Sequence, residues 1–209
     1  MENIHQLILA AGLAWASGLR LYAVLFFLGL VDRMGWFNLP PALHVLADPL
    51  VMGASGFMLL VEFFADKIPG FDSLWDAIHT FIRVPVGALL AVGAVGDENS
   101  ALAIAAAILG GAIAGGTHLT KAGSRAIINT SPEPVSNWTA SFSEDAAVAG
   151  GLWLMFQHPL IFLALLVIFL LIAIWLLPKL WRGIRRVIKR IGALLGGNAG
   201  QRPSDYPRA

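Results

Sequence analysis

The chain has 209 residues, 57% of them hydrophobic and 13% charged, and it carries a formal net charge of +1. Soluble domains hold about 45–50% apolar and about 25% charged residues, so the charge deficit excludes an ordinary soluble protein and implies an integral membrane one. The length of 209 residues suits one membrane domain without a separate catalytic domain, and the absence of cysteine excludes disulfides, thiolate metal sites and a cysteine nucleophile.

The N-terminus, MENIHQLILAAG, lacks the basic stretch and cleavage site of a signal peptide and reads as the start of the first membrane helix. That helix, residues 6–31, carries Arg20 near its middle. A second apolar stretch, 49–64, follows Asp48 and contains Glu62; a third, 77–96, is entered through His79 and Arg83. The Ala/Gly-rich fourth, 101–127, ends in His118, Lys121 and Arg125, which share one helical face. A polar connection with Asn129, Asn137, Ser141, Glu144 and Asp145 leads to a short fifth stretch, 146–156, and a strongly apolar sixth, 159–178. A spanning helix needs about 20 residues, so the second and fifth either cross inside protein or re-enter.

The fold class is therefore all-α: a polytopic membrane protein of about six transmembrane or partly re-entrant helices, in one domain over 1–182. After Pro178, residues 179–195 read as an amphipathic interfacial helix and 196–209 as a disordered tail. Six of the fourteen Lys and Arg residues fall in KLWRGIRRVIKR. The positive-inside rule puts that segment in the cytoplasm, and an even number of spans puts both termini there.

Two internal matches suggest a repeat, 6–96 against 101–178. ASGLRLY resembles AGGTHLT, setting Arg20 against His118, and DPLVMGASGFMLL resembles DAAVAGGLWLMF, setting Asp48 against Asp145. Units of three helices insert in opposite senses, so the expected architecture is an inverted three-plus-three repeat with a site near mid-membrane.

An intramembrane Arg20 costs at least ~2.5–3.5 kcal/mol and needs a partner or water. It points either to an anion or lipid-phosphate contact or to an ion pair with Glu62 or Asp48. Arg20, His118, Lys121, Arg125 and Asn129 form the expected solute-binding set, with Asp48, Glu62, Glu144 and Asp145 as ion-pair or coupling groups. Glu62, Asp66, Asp76 and His79 across one hairpin are the residues that would hold a hard divalent metal, or would relay protons instead. No cofactor and no nucleic-acid partner is expected. Lipid is the implied partner, and Gly110-Gly111, Gly115-Gly116 and Gly150-Gly151 suit close helix packing within the chain or in a homodimer.

The stretches SGLRLYAVLFFLGLVDRMGWFNLPP, VEFFADKIPGFDSLWD with HTFIRVPVGALLA, and HLTKAGSRAIINTSPEPVSNWTASFSEDAAV are similar to the bacterial membrane family catalogued as domain of unknown function 4126. Gly18, Leu19, Arg20, Glu62, Ile68, Pro69, Asp72, Asp76, Glu144 and Asp145 fall on its pattern. The third stretch, with Lys121 and Arg125, resembles one branch of the family. The resemblance implies an integral membrane protein and carries no activity with it. From the residues themselves the first expectation is a small transporter or channel for an anionic or zwitterionic solute. The alternatives are a membrane enzyme or flippase acting on lipid phosphate, which lacks any nucleophile motif, and a structural or assembly protein.

Overall fold

The first apolar stretch folds as α1 (Glu2–Arg33), but the backbone of Arg20 leaves the helical conformation inside it, at φ −139° and ψ 76°. His5, Gln6 and Leu9 from its start line the same groove as Phe37, Asn38 and Leu39 from just past its end. A straight helix would hold those ends some ~40 Å apart at about 1.5 Å per residue. The chain therefore doubles back, and Arg20 is the tip of a hairpin of two helical arms.

In the computed structural model, which describes residues 2–96, 99–130 and 134–196, five more helices follow: α2 (Pro49–Ala65), α3 (Phe71–Val95), α4 (Ser100–Ile128), α5 (Pro134–Gln157) and α6 (Pro159–Gly196). The expected tail, 197–209, lies outside the described residues. By length and apolar composition α1, α3, α4 and α6 qualify as membrane spans, and the 3-10 turn Pro41–Ala47 with α2, bent by 68°, makes a fifth. The chain is thus an all-α polytopic membrane protein: the described residues form six α-helices, as expected, of which four, or five with the bent pair, are long and apolar enough to span.

Local signals explain most boundaries. Asp48 accepts a hydrogen bond from the Leu50 amide at 2.8 Å and caps α2, with Pro49 at the first helical position. Asn99 caps α4 through the amides of Ala101 and Leu102. Gly70 and Gly96 bracket α3 with positive φ angles of 83° and 73°, a region open to glycine at no steric cost. Two boundaries depart from expectation. α5 begins at Pro134, so the polar connection is mostly its first turns, and α6 runs unbroken through Pro178, so residues 179–195 continue it rather than form a separate helix.

Two opposite ends result. At one end lie the N-terminus, the C-terminal ends of α3 and α5 and the start of α6, all bordering one groove. There Gly12 packs on Met155 and Phe162, and Gly151 on Trp15. At the other end the Arg20 tip meets the end of α2, the starts of α3 and α5, and the last turns of α4. α6 passes beyond that end, with Leu180 against Gly123 and Gly183 against Ile127. The paired glycines divide their work: Gly110 lies on Ala91 and Gly151 on Trp15, while Gly116 and Gly150 face open space.

The candidate functional site

Breaking α1 at Arg20 frees the carbonyls that the next helical turn would have used. Cations fill that need. Arg83 Nη1 donates to the Gly18 carbonyl at 3.3 Å, and Lys121 Nζ to the Leu19 carbonyl at 3.2 Å. Close approach is possible because Gly18 has no side chain where Ala114 and Thr117 of α4 press against it.

Arg20 itself is 1% exposed and ringed by oxygens, though its Nε makes an ion-pair contact without an aligned hydrogen bond. Nη1 pairs with Asp66, Nε lies 2.8 Å from Asp145 Oδ1, and Nη2 donates to Ser141 Oγ at 2.9 Å. The Asp66 oxygen that Arg20 uses also takes Lys121 Nζ, at 2.6 Å. Burial alone would raise the Asp66 carboxyl, but the Lys121 and Arg20 charges outweigh it and hold it below the ordinary carboxylate range. Arg83 binds Glu62 at 2.6 Å and Asp76 at 3.1 Å, and all three are essentially inaccessible. Arg125 grips Glu144 with Nε and Nη2, at 3.1 and 2.9 Å, a two-pronged bond that Lys could not make. Its Nη1 holds Asn137, which donates to Asn129, which donates to Asp72 at 2.7 Å.

His118 sits between these pairs without being a third cation. Its Nδ1 faces Arg83 Nη1 at 2.8 Å, and a guanidinium only donates, so Nδ1 accepts and the proton is on Nε2. Nε2 then donates to the Asp76 carbonyl at 3.0 Å. His118 is thus a neutral bridge between Arg83 and the Asp76 carbonyl. His79 stands apart, stacked on Trp75 with its Nε2 3.1 Å from the Tyr22 hydroxyl.

The expected partners are thus sorted. Arg20, Lys121, Arg125, Asn129, Glu62, Glu144 and Asp145 converge, as do Asp66, Asp72, Asp76 and Arg83. Asp48 does not: it is exposed and caps α2. The pairs aligned by the expected repeat also stand in unlike surroundings, since Asp48 is a surface cap while Asp145 binds Arg20, and Arg20 breaks its helix while His118 lies inside an unbroken one. Glu62, Asp66, Asp76 and His79 form no metal site: among the described residues no three His, Asp or Glu side chains group for an ion. Arg83 stands between Glu62 and Asp76, and Arg20 and Lys121 hold Asp66. Lys67 is a participant that no sequence pattern singles out. Lys67 lies 3.1 Å over the Phe63 ring and 3.9 Å from Asp145, and burial pushes its ammonium below the usual lysine range. Asn137 and Ser141 have the four-residue spacing that continues to Asp145, a helical period visible only once polar residues are allowed to form the buried face.

The charge balance follows. Among the described residues the network joins the cations Arg20, Lys67, Arg83, Lys121 and Arg125 to the carboxylates Glu62, Asp66, Asp72, Asp76, Glu144 and Asp145, one more than the cations. One buried oxygen on each of Glu62, Asp66, Asp72, Asp76 and Asp145 has no hydrogen-bond donor in the protein.

No curated protein and no solved structure matches this chain. The family model described as Domain of unknown function (DUF4126) matches residues 7–179, from the first arm of α1 to the middle of α6, and the chain belongs to that family.

Proposed function

We propose that this chain is a small membrane transporter whose solute movement is coupled to protons through the buried ion network. The observation that carries this reading is the surplus of carboxylates, with donor-free oxygens on Glu62, Asp66, Asp72, Asp76 and Asp145, gathered where α1 is broken. Such oxygens are the atoms a proton takes, and buried carboxylates inside membrane proteins mark ion and proton pathways. A broken helix is also the one place where irregular backbone is tolerated in a bilayer, when it lines protein or water.

The anionic solute expected from the cations loses its support. Arg20, Lys121 and Arg125 are each held by carboxylates, so an anion would have to displace them inside a network already short of positive charge. A zwitterion or a cation fits that balance. An enzyme acting on lipid phosphate meets the same obstacle.

The doubling back of α1 also changes the expected orientation. α1 returns to the end where it started, and α2 to α6 then run five times between the two ends of the bundle, an odd number. With the basic end of α6 in the cytoplasm, the N-terminus lies on the opposite side rather than beside it. Reporter fusions at each terminus distinguish the two arrangements.

The functional test is proton flux. Proteoliposomes holding a pH dye are challenged with a panel of amines, amino acids and carboxylates. The expected result is a solute-dependent pH change that Glu62→Gln abolishes. Solute uptake with no proton movement, or proton movement unaffected by that variant, overturns the coupling.

A further inference from the structure

Beside the network, and outside its hydrogen bonds, a groove of about 860 Å³ runs between the second arm of α1 and α5, with Leu59 of α2 at its flank. Its volume falls in the range of small-molecule sites, roughly 300–1,000 Å³. The walls are aromatic: Phe26, Phe27, Phe37, Trp153 and Phe156, with the Phe37 and Phe156 rings stacked at 4.2 Å. The charged residues in its lining are Arg20 and Asp145. They are not equally available. Arg20 is 1% exposed, whereas the Asp145 side chain is 32% exposed; its Oδ2 is buried, 3.9 Å from Lys67 Nζ, so the groove reaches the carboxylate through Oδ1.

We infer that this groove binds an organic cation with an apolar body, an amine or onium ion whose charge sits by Asp145 and whose hydrocarbon lies among the aromatic rings. Three features select that class. The available counter-charge is negative; aromatic rings, whose faces attract cations, line the walls; and the surplus carboxylate of the network gains, rather than loses, by a positive guest. A lipid acyl chain would use the walls and ignore Asp145, and an anion would oppose it. The site also touches the network directly, because Asp145 Oδ1 is the oxygen paired with Arg20 Nε at 2.8 Å. A cation drawn onto Asp145 competes with Arg20 for that carboxylate. As a solute assignment the inference rests on the transport reading; as a binding site it stands on the groove alone.

The test uses two ions of equal shape and opposite charge, tetraphenylphosphonium and tetraphenylborate, in equilibrium dialysis against the purified full chain in neutral detergent. Saturable binding of the phosphonium and none of the borate is expected. Asp145→Asn should weaken phosphonium binding about tenfold or more, as loss of a desolvated charge partner does. Because that change also touches Arg20, a second variant, Ala149→Trp, fills the groove without altering any charged group and should weaken binding as strongly. Equal retention of the two ions, or phosphonium binding unchanged in both variants, overturns the site. Binding without any proton flux in liposomes would leave the site intact and remove the transport reading instead.

Discussion

The two ends of this bundle are buried by different means. At the Trp15 end, Gly12, Trp15, Gly151, Met155 and Phe162 interlock by shape, with the Trp15 and Phe162 rings 5.7 Å apart edge to face. At the Arg20 end the space of a hydrophobic core is taken by arginines, a lysine and carboxylates exposed by 1% or less. The dry end would tolerate any set of side chains with the right volume. Truncating a side chain at the charged end costs more, because the ions it served lose a buried partner. Buried ion networks are seldom more stable than apolar packing of equal volume. Stability alone therefore does not account for the charges; the proposed role in moving protons or solute would explain them.

The sharpest way to break this contrast is Asp66→Ala. One Asp66 oxygen serves both Arg20 and Lys121, so the loss should be about 3–5 kcal/mol or more, read as a collapse of the melting transition in detergent. A fall of under ~1 kcal/mol, the scale of an exposed ion pair, would mean that water already screens the network. The same residue sets an acid limit. Its carboxyl is held below the ordinary range, so its stabilisation is complete above the unfolded value of about 3.9 and is lost as pH falls through the folded one. Melting curves of the parent chain should drop steeply in that acid window, and those of Asp66→Asn should be flatter there.

At the dry end, Gly12→Ala places a methyl against Met155 Sδ and Phe162. The expected cost is roughly 1–3 kcal/mol of overpacking, relieved in part by pairing it with Met155→Ala. The smallest effect belongs to Asp48→Ala. Asp48 and Asp66 are the same residue type on the two ends of α2, but Asp48 is an exposed cap, so about 1 kcal/mol is expected. Equal costs at Asp48 and Asp66 would erase the distinction between cap and network.

Much of this organisation was legible in the sequence. Arg20 could be recognised as needing a buried partner because snorkelling from the middle of an apolar stretch is out of reach, and the shared face of Lys121 and Arg125 follows from helical spacing. Which carboxylate answers which cation was not legible. Asp48 and Asp66 look alike as letters, and only the hairpin of α1 turns one to the surface and the other inward. The hairpin itself leaves little trace, since neither Arg20 nor its immediate neighbours is a proline, and the break is held by cations from α3 and α4 lying far along the chain. The charge state of His118 was not legible either, because it depends on Arg83, on another helix. The length of α5 was missed for a different reason: a search for apolar periodicity passes over Asn137, Ser141 and Glu144, whose buried face is polar.

The reversal at Arg20 has a consequence for the order in which the chain can be built. During synthesis Arg20 emerges 46 residues before Asp66 and 121 before Ser141. Until then its guanidinium has none of those partners, and two arms joined by a bare charge are poor cargo for the hydrocarbon layer. The N-terminal hairpin is therefore expected to wait at the membrane surface and to slide into the bundle only after α5 has been made, so that the first segment translated is the last to reach its depth. Protease accessibility of α1 on ribosome-bound chains truncated before and after residue 145 would time that entry.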